Sequence, residues 1–270
     1  MNKLVISFIY LLHMSLYAQE EVKVFTEKKD NGYMLYASNL EFCPVSISLE
    51  VDLTNMNFTQ GEQKLFVIPA RIEKFKLGEL TITNKREASK YSTRYLFTLG
   101  DVTKKNYDTT YIYDLPYQKG KQFMLFQGYN GLFSHQNENA LDFTMPEGSE
   151  IVAARDGIVI KVVQNNSESC LKEECKKFNN YLSVYQSDGT FADYVHLRRN
   201  GVKFKVGDKV RKGELIAYSG NTGWSSGPHL HFVCSLPSFE KRPTIKTKFK
   251  INEEFASIYL KEKKLYLKEY

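Results

Sequence analysis

Between Val45 and Thr54 the chain alternates apolar and polar residues without a break: Val45, Ile47, Leu49, Val51 and Leu53 against Ser46, Ser48, Glu50, Asp52 and Thr54. A period of two puts all five apolar side chains on one face of an extended segment, so the run predicts a half-buried β-strand. Tyr91, Thr93, Tyr95, Phe97 and Leu99 repeat the period, and shorter β-rich runs at 33–37 and 64–68 lie between turn formers such as Asn31-Gly32 and Gln60-Gly61. Residues 19–110 therefore read as an antiparallel β-sandwich. No grouping of His, Cys and carboxylates in this part points to chemistry, and a structural or substrate-positioning role is expected of it.

After the segment 111–116 the texture changes to short strands separated by glycine turns. Strands are expected at 150–154, 157–163, 181–185, 190–197, 214–219 and 229–233, with no sustained helical period. Strands this short and this evenly spaced predict a compact antiparallel β-sheet domain over 115–240. The fold class is mainly β, with two domains and a C-terminal extension at 241–270.

Composition adds three constraints. At 270 residues with 42% apolar and 14% aromatic content, the chain has enough hydrophobic material for two modest cores and too much for a disordered protein. Residues 1–18 read as a cleavable secretory signal peptide, with Lys3 at the start, an apolar stretch over 4–17 and small Ala18 before Gln19. The stretch is shorter than the roughly 20 residues of a membrane-spanning helix, so a secreted or periplasmic product is expected, without a transmembrane segment. Of the net charge of +6, four units come from residues 240–270, where nine Lys or Arg face five acids. That basic extension is either a solvated face or a surface suited to an anionic polymer such as a cell envelope. No nucleic-acid motif accompanies it, so nucleic acid is not expected as a partner.

An exported chain permits disulfides. Cys170 and Cys175 share a polar loop and can close on each other only through a turn. Cys43 and Cys234 either pair across the domains or are two buried thiols.

Candidate chemistry concentrates in the second domain, which holds every histidine but His13. His229 and His231 are separated by one residue, so on a strand both rings project from one face while Leu230 and Phe232 point to the other. Two imidazoles side by side are either hydrogen-bonded core residues or part of a site. His135 and Asp142, lying just ahead of a strand, favour a site, because two His and one carboxylate suit a hydrolytic Zn2+ centre with one position of the tetrahedron open. Water there has its pKa lowered toward about 7 and becomes a usable nucleophile. A base and an oxyanion donor are then required, and His196 with the non-ligating member of the 229/231 pair are the candidates.

Three segments carry a resemblance. The run Asp142-Phe143-Thr144-Met145-Pro146-Glu147-Gly148 with 152–159 behind it, the run Tyr194-Val195-His196-Leu197, and the run from Ser219-Gly220-Asn221-Thr222-Gly223 to Gly227-Pro228-His229-Leu230-His231-Phe232 resemble, in this order, the zinc metalloendopeptidases of the M23 (lysostaphin or LytM) type. The resemblance covers about 115–236. It implies a barrel-sandwich hybrid type of β domain, a peptidase that cuts peptide bonds in bacterial peptidoglycan, metal ligands at His135, Asp142 and His231, and catalytic histidines at His196 and His229. One departure stands out: the family more often separates its first His and Asp by three residues, whereas 136–141 intervene here. Glu138 is the substitute ligand if the longer loop fails to bring His135 round.

The expected function is a zinc-dependent peptidoglycan endopeptidase. Its rivals are a non-catalytic cell-wall-binding or hydrolase-activating module on the same scaffold, and a zinc peptidase acting on glycine-rich proteins. Val206-Gly207-Asp208 to Gly213-Glu214-Leu215 also resembles a hairpin of biotinyl carrier domains, but the carrier lysine at a tight hairpin tip is missing. Trp224 is expected either to line the groove or to pack, and Tyr129 and Asn130 lie near enough to His135 in sequence for a phenol to reach the site.

Overall fold

The computed structural model describes residues 21–61, 64–252 and 257–270, and these form strands and turns with a single short 3-10 helix at Glu173–Phe178. The signal peptide expected at 1–18 lies outside the described residues.

The first part contributes β1 (Val22–Lys29), β2 (Gly32–Asn39), β3 (Val45–Thr54), β4 (Met56–Phe58), β5 (Leu65–Ile68), β6 (Ile72–Ile82) and β7 (Lys90–Leu99). They form two antiparallel sheets, β1-β2-β6-β4 and β5-β3-β7. The alternation that announced β3 has its consequence in the core, where Val45, Ile47 and Leu49 join Leu35, Ala37, Ile68 and Leu77. Each aliphatic side chain so buried contributes about 1.5–3 kcal/mol. The β3 alternation does not leave the opposite face wet throughout. Ser46 is fully buried, its hydroxyl donating to the Gly100 carbonyl at 2.8 Å and accepting from the Val102 N–H at 3.0 Å.

The second part runs through β8 (Ile112–Tyr113), β9 (Gln122–Gln127), β10 (Ala140–Thr144), β11 (Glu150–Val152), β12 (Gly157–Val163), β13 (Ser169–Cys170), β14 (Tyr181–Tyr185), β15 (Phe191–Val195), β16 (Lys209–Val210), β17 (Leu215–Tyr218), β18 (Gly223–Trp224) and β19 (His229–Ser235). Its main sheet has the order β16-β12-β14-β15-β19-β10-β9 and then β23 (Lys264–Leu267) from the C-terminal segment, while β20 (Thr244–Ile245) pairs with β19. Two further C-terminal strands, β21 (Lys248–Lys250) and β22 (Ser257–Ile258), pair with each other, and β21 also pairs with β8.

Residues 241–252 and 257–270 thus add strands to these sheets, while Lys241, Lys246, Lys261, Lys263 and Lys264 stay exposed. Lys268 is 4% exposed, its ammonium donates to the Leu115 carbonyl at 2.9 Å, and burial holds it down at about 8. The Tyr270 hydroxyl donates to the Lys250 carbonyl and accepts from the Leu115 N–H.

One core, built on Tyr117, Phe143, Tyr194, Leu230, Phe232 and Phe249, underlies the main sheet. A smaller cluster of Cys43, Ile160 and Phe191, with Phe42 and Leu99 beside it, joins the two parts. Cys43 and Cys234 are buried free thiols, and burial pushes the Cys43 thiol up to about 12. Cys170 and Cys175 form a disulfide, the 3-10 helix supplying the turn this spacing requires.

Candidate metal centre and its groove

Strand pairing builds most of the site. In the antiparallel pair β10 and β19, Asp142 lies opposite His231 and Thr144 opposite His229; in β15 and β19, Val195 lies opposite His231. Leu141, Phe143, Leu230 and Phe232 are at most 1% exposed and fill the core. The period of two therefore sends Asp142, His229 and His231 to the other face, where they line a groove of about 760 Å³. Asp142 lies inside a strand, not ahead of one as the sequence suggests.

His135 arrives from the loop between β9 and β10. Gln127, 2% exposed at the end of β9, holds that loop. Its carbonyl oxygen accepts from the Phe133 and Ser134 N–H groups at 2.9 and 3.2 Å, and its amide donates to the Ser134 hydroxyl at 2.8 Å and to Asp142 Oδ2 at 3.1 Å. Gly131 makes the turn possible by close approach, since a Cβ there would stand 2.3 Å from Gln127 Cγ. The outcome is that His135, 1% exposed, donates from Nδ1 to the Gly128 carbonyl at 3.1 Å and turns Nε2 toward the sheet.

Gln127 is not signalled by the sequence, because a lone Gln closing a strand carries no pattern. We expect Gln127→Leu, which fits the volume but loses all four hydrogen bonds, to weaken metal binding by about 10–100-fold, as outer partners of ligands usually do. Competition with a fluorescent chelator measures this, and unchanged affinity would mean the loop needs no such support.

Three donor atoms converge. His135 Nε2 is 3.2 Å from His231 Nδ1 and 3.2 Å from Asp142 Oδ2, and His231 Nδ1 is 3.0 Å from Asp142 Oδ1. Ligand bonds of about 2.0–2.1 Å set the edges of a tetrahedral zinc site at about 3.3 Å, so the triangle fits within a few tenths of an ångström. The donor chemistry fits as well: two nitrogens and one carboxylate oxygen, with His135 held in the tautomer that frees Nε2. Glu138 is outside this group, its carboxylate instead facing Lys241 at 4.0 Å. Burial alone would raise the Asp142 carboxyl, but the hydrogen bonds from His135 and His231 outweigh it and hold the group well below the usual carboxylate range. For His135, burial lowers and the Asp142 partnership raises, the net direction being up.

The other two histidines stand beside the triangle. His196 follows β15 with φ of +64°, a conformation that costs a non-glycine residue energy and recurs at functional sites. Its Nδ1 donates to the Thr222 carbonyl at 2.7 Å, and that of His229 to the Gly227 carbonyl at 2.8 Å. Each ring is thereby fixed with Nε2 unprotonated, and the two rings lie 4.5 Å apart. Burial, with His229 and His231 nearby, pushes His196 down to about 3; burial likewise lowers His229.

The groove walls are apolar. Phe126 and Phe133 stack on one side at 5.9 Å. On the other, Trp224 donates from Nε1 to the Leu171 carbonyl inside the disulfide loop, with the Lys176 ammonium 4.7 Å from its ring. Trp224 thus both lines the groove and packs. Tyr129 does not reach the site: its hydroxyl donates to the Thr247 carbonyl at 2.7 Å.

Residues 136–240 match the profile of peptidase family M23. The chain carries an M23 peptidase domain. The matched span includes Asp142, His196, His229 and His231, and begins one residue after His135, whose membership in the site rests on the geometry above. Among curated relatives, the glycyl-glycine endopeptidase ALE-1 of Staphylococcus capitis is 34% identical over 104 residues, 38% of this chain and 26% of that protein. The peptidoglycan DD-endopeptidase ShyC of Vibrio cholerae is 35% identical over 103 residues, 38% of this chain and 21% of that protein. The chain thus spans about a quarter or less of the length of these relatives. Among solved structures, the catalytic domain of lysostaphin from Staphylococcus simulans aligns with 46% of this chain and 86% of that one, at 27% identity and a TM-score of 0.35.

Proposed function

We propose that this protein is a zinc-dependent endopeptidase that hydrolyses peptide bonds of bacterial peptidoglycan outside the cytoplasm. The observation that carries the reading is the triangle of His135, Asp142 and His231 with His196 and His229 beside it, in one groove of an M23 domain. His135 Nε2, Asp142 and His231 Nδ1 would hold the ion. Zinc bound there supplies a Lewis acid for the scissile carbonyl and lowers the pKa of water to about 7.

The chain's own residues do the rest. Phe126, Phe133 and Trp224 flank an extended peptide and keep water from it. One of the Nε2 atoms of His196 and His229 takes a proton from the attacking water, and that single proton, held there or passed to the other ring, provides the donor that steadies the negative charge developing on the carbonyl oxygen. The backbone carbonyls of Thr222 and Gly227 keep both rings in the required tautomer. The full set of five residues supports an enzyme over a binding module, and the names of ALE-1 and ShyC support peptidoglycan peptides as substrate.

Mass analysis of purified peptidoglycan after incubation with the zinc-loaded protein is the test. New peptide termini that vanish with a chelator and return with zinc are expected. Intact sacculi at full zinc occupancy, with tight binding to them, would replace the enzyme by the binding module.

A further inference from the structure

The groove holds one carboxyl group that the proposed mechanism does not use. Among its lining acids, Asp142 belongs to the histidine triangle and Glu138 faces Lys241 at 4.0 Å. Among its cations, Lys241 is thereby taken, and Lys176 pairs with Glu173 at 2.7 Å. Asp193 is left. It lies on β15, half-buried in the groove floor, in a row with Ser183 of β14 and Val233 of β19. Among the described residues its hydrogen-bond partner is the Ser183 hydroxyl at 2.5 Å, and no cation comes within ion-pair distance.

Burial raises the Asp193 carboxyl and the Ser183 hydrogen bond works against that, while Arg242, His231 and Lys161 act on it only at longer range, Arg242 lying over the Phe191 ring at 4.0 Å and Lys161 5.9 Å from the Tyr181 ring. Carboxylates withdrawn from water are ordinarily paired, because desolvating an ion without a partner costs several kcal/mol. This one keeps a face toward the channel in which the substrate lies.

We propose that Asp193 is a specificity residue that receives the ammonium group of an amine-bearing peptide beside the metal centre. The inference rests on the peptidase reading for the identity of the groove's occupant. Register gives the spacing: Val195 is opposite His231, and Asp193 is two residues further along the same strand and face. At about 3.3 Å per residue, the carboxylate is displaced by about 6.6 Å from the metal row, roughly two residues of extended peptide. Two amines satisfy that spacing. One is the side-chain amine of a diamino acid next to the cleaved bond, reaching back along the floor; the other is a free N-terminus two residues away. Ser183 holds one carboxylate oxygen in place, so the acceptor is preorganised, and a charge-assisted hydrogen bond from an ammonium is roughly twice as strong as one between neutral groups.

The test is calorimetric binding of free lysine-type peptidoglycan tetrapeptides to the zinc-loaded protein, in a His229→Ala background that prevents turnover. Copies acetylated at the ε-amine, at the N-terminus, or at both are compared, with Asp193 intact or replaced by Asn, which keeps the shape and the acceptor for Ser183. The expected result is that Asp193→Asn weakens the free-amine peptide at least tenfold, and that acetylating one amine weakens binding equally when Asp193 is present but has no further effect on the Asn variant. Which acetylation acts identifies the amine.

Equal losses for free and acetylated peptides, no loss on Asp193→Asn, or no discrimination by the protein with Asp193 intact would each overturn the proposal. That last result is also what a protonated Asp193 serving only Ser183 would give. Selectivity for the free amine without cleavage by the parent enzyme would instead leave Asp193 in its role and remove the peptidase reading.

Discussion

His231→Ala is expected to remove the bound metal and peptidoglycan hydrolysis together. His231 Nδ1 stands 3.0 Å from Asp142 Oδ1 and 3.2 Å from His135 Nε2, so it closes the donor triangle. Without it, one imidazole and one carboxylate remain, two ligands short of the four that a structural or catalytic zinc site completes with protein groups and water. Loss of an outer partner costs about 10–100-fold in affinity, and loss of a ligand exceeds that. The substitution spares the fold because Leu230 and Phe232, on the opposite face of β19, carry the packing. Elemental analysis of purified protein should find the metal gone, circular dichroism should find the sheet intact, and muropeptide release should fall to background. Full metal content with full hydrolysis in this variant would remove the assignment of the centre.

Much of this site is legible in the sequence because strand periodicity and motif coincide in it. The one-residue spacing of His229 and His231 is enough to fix a shared face, and Leu230 and Phe232 name the opposite face as core. His135 is less legible: its place depends on Gln127 and Gly131 folding a long loop, and neither residue has a periodic signature.

The strand β6 is hidden for a different reason. Its apolar residues Ile72, Phe75, Leu77, Leu80 and Ile82 break a period of two, and register shifts against β2 restore the face that the sequence hides. Within it Gly78 permits the close approach of the Phe58 ring, which a Cβ would meet at 2.4 Å.

The C-terminal segment misleads by inverted burial. In β23, Leu265 and Leu267 are exposed at 62% and 39%, while Tyr266 is buried at 8%, so the apolar residues mark the wrong face. What commits this segment to the sheet is its pairing with β9 and the seating of Lys268 and Tyr270 on the Leu115 backbone, long-range contacts that no local pattern encodes. Asp193 belongs to the same class. Its alternation within β15 is ordinary, and its isolation from cations emerges only when the lining of the groove is assembled.

His196→Asn should separate catalysis from metal binding. His196 is not a member of the donor triangle, and its ring is held by the Thr222 carbonyl beside His229. Asn is the natural choice because it tolerates the positive φ of this position better than most residues do. A proton carrier of this kind contributes about 10²–10⁴-fold, so kcat should fall by that amount with the zinc content unchanged.

A second, independent consequence follows from the ring's environment. Burial, helped by His229 and His231, depresses the folded-state pKa to about 3, against about 6.5 for an exposed imidazole. Between those values the unfolded chain binds a proton that the folded chain refuses, so stability increases with pH across the window and is lost as pH falls from about 6.5 toward 3. His196→Asn removes this linkage. Urea midpoints measured at pH 4.5 and pH 7.5 should therefore differ less in the variant than in the parent, while a kcat loss accompanied by metal loss would make His196 a support of the centre and not a proton carrier.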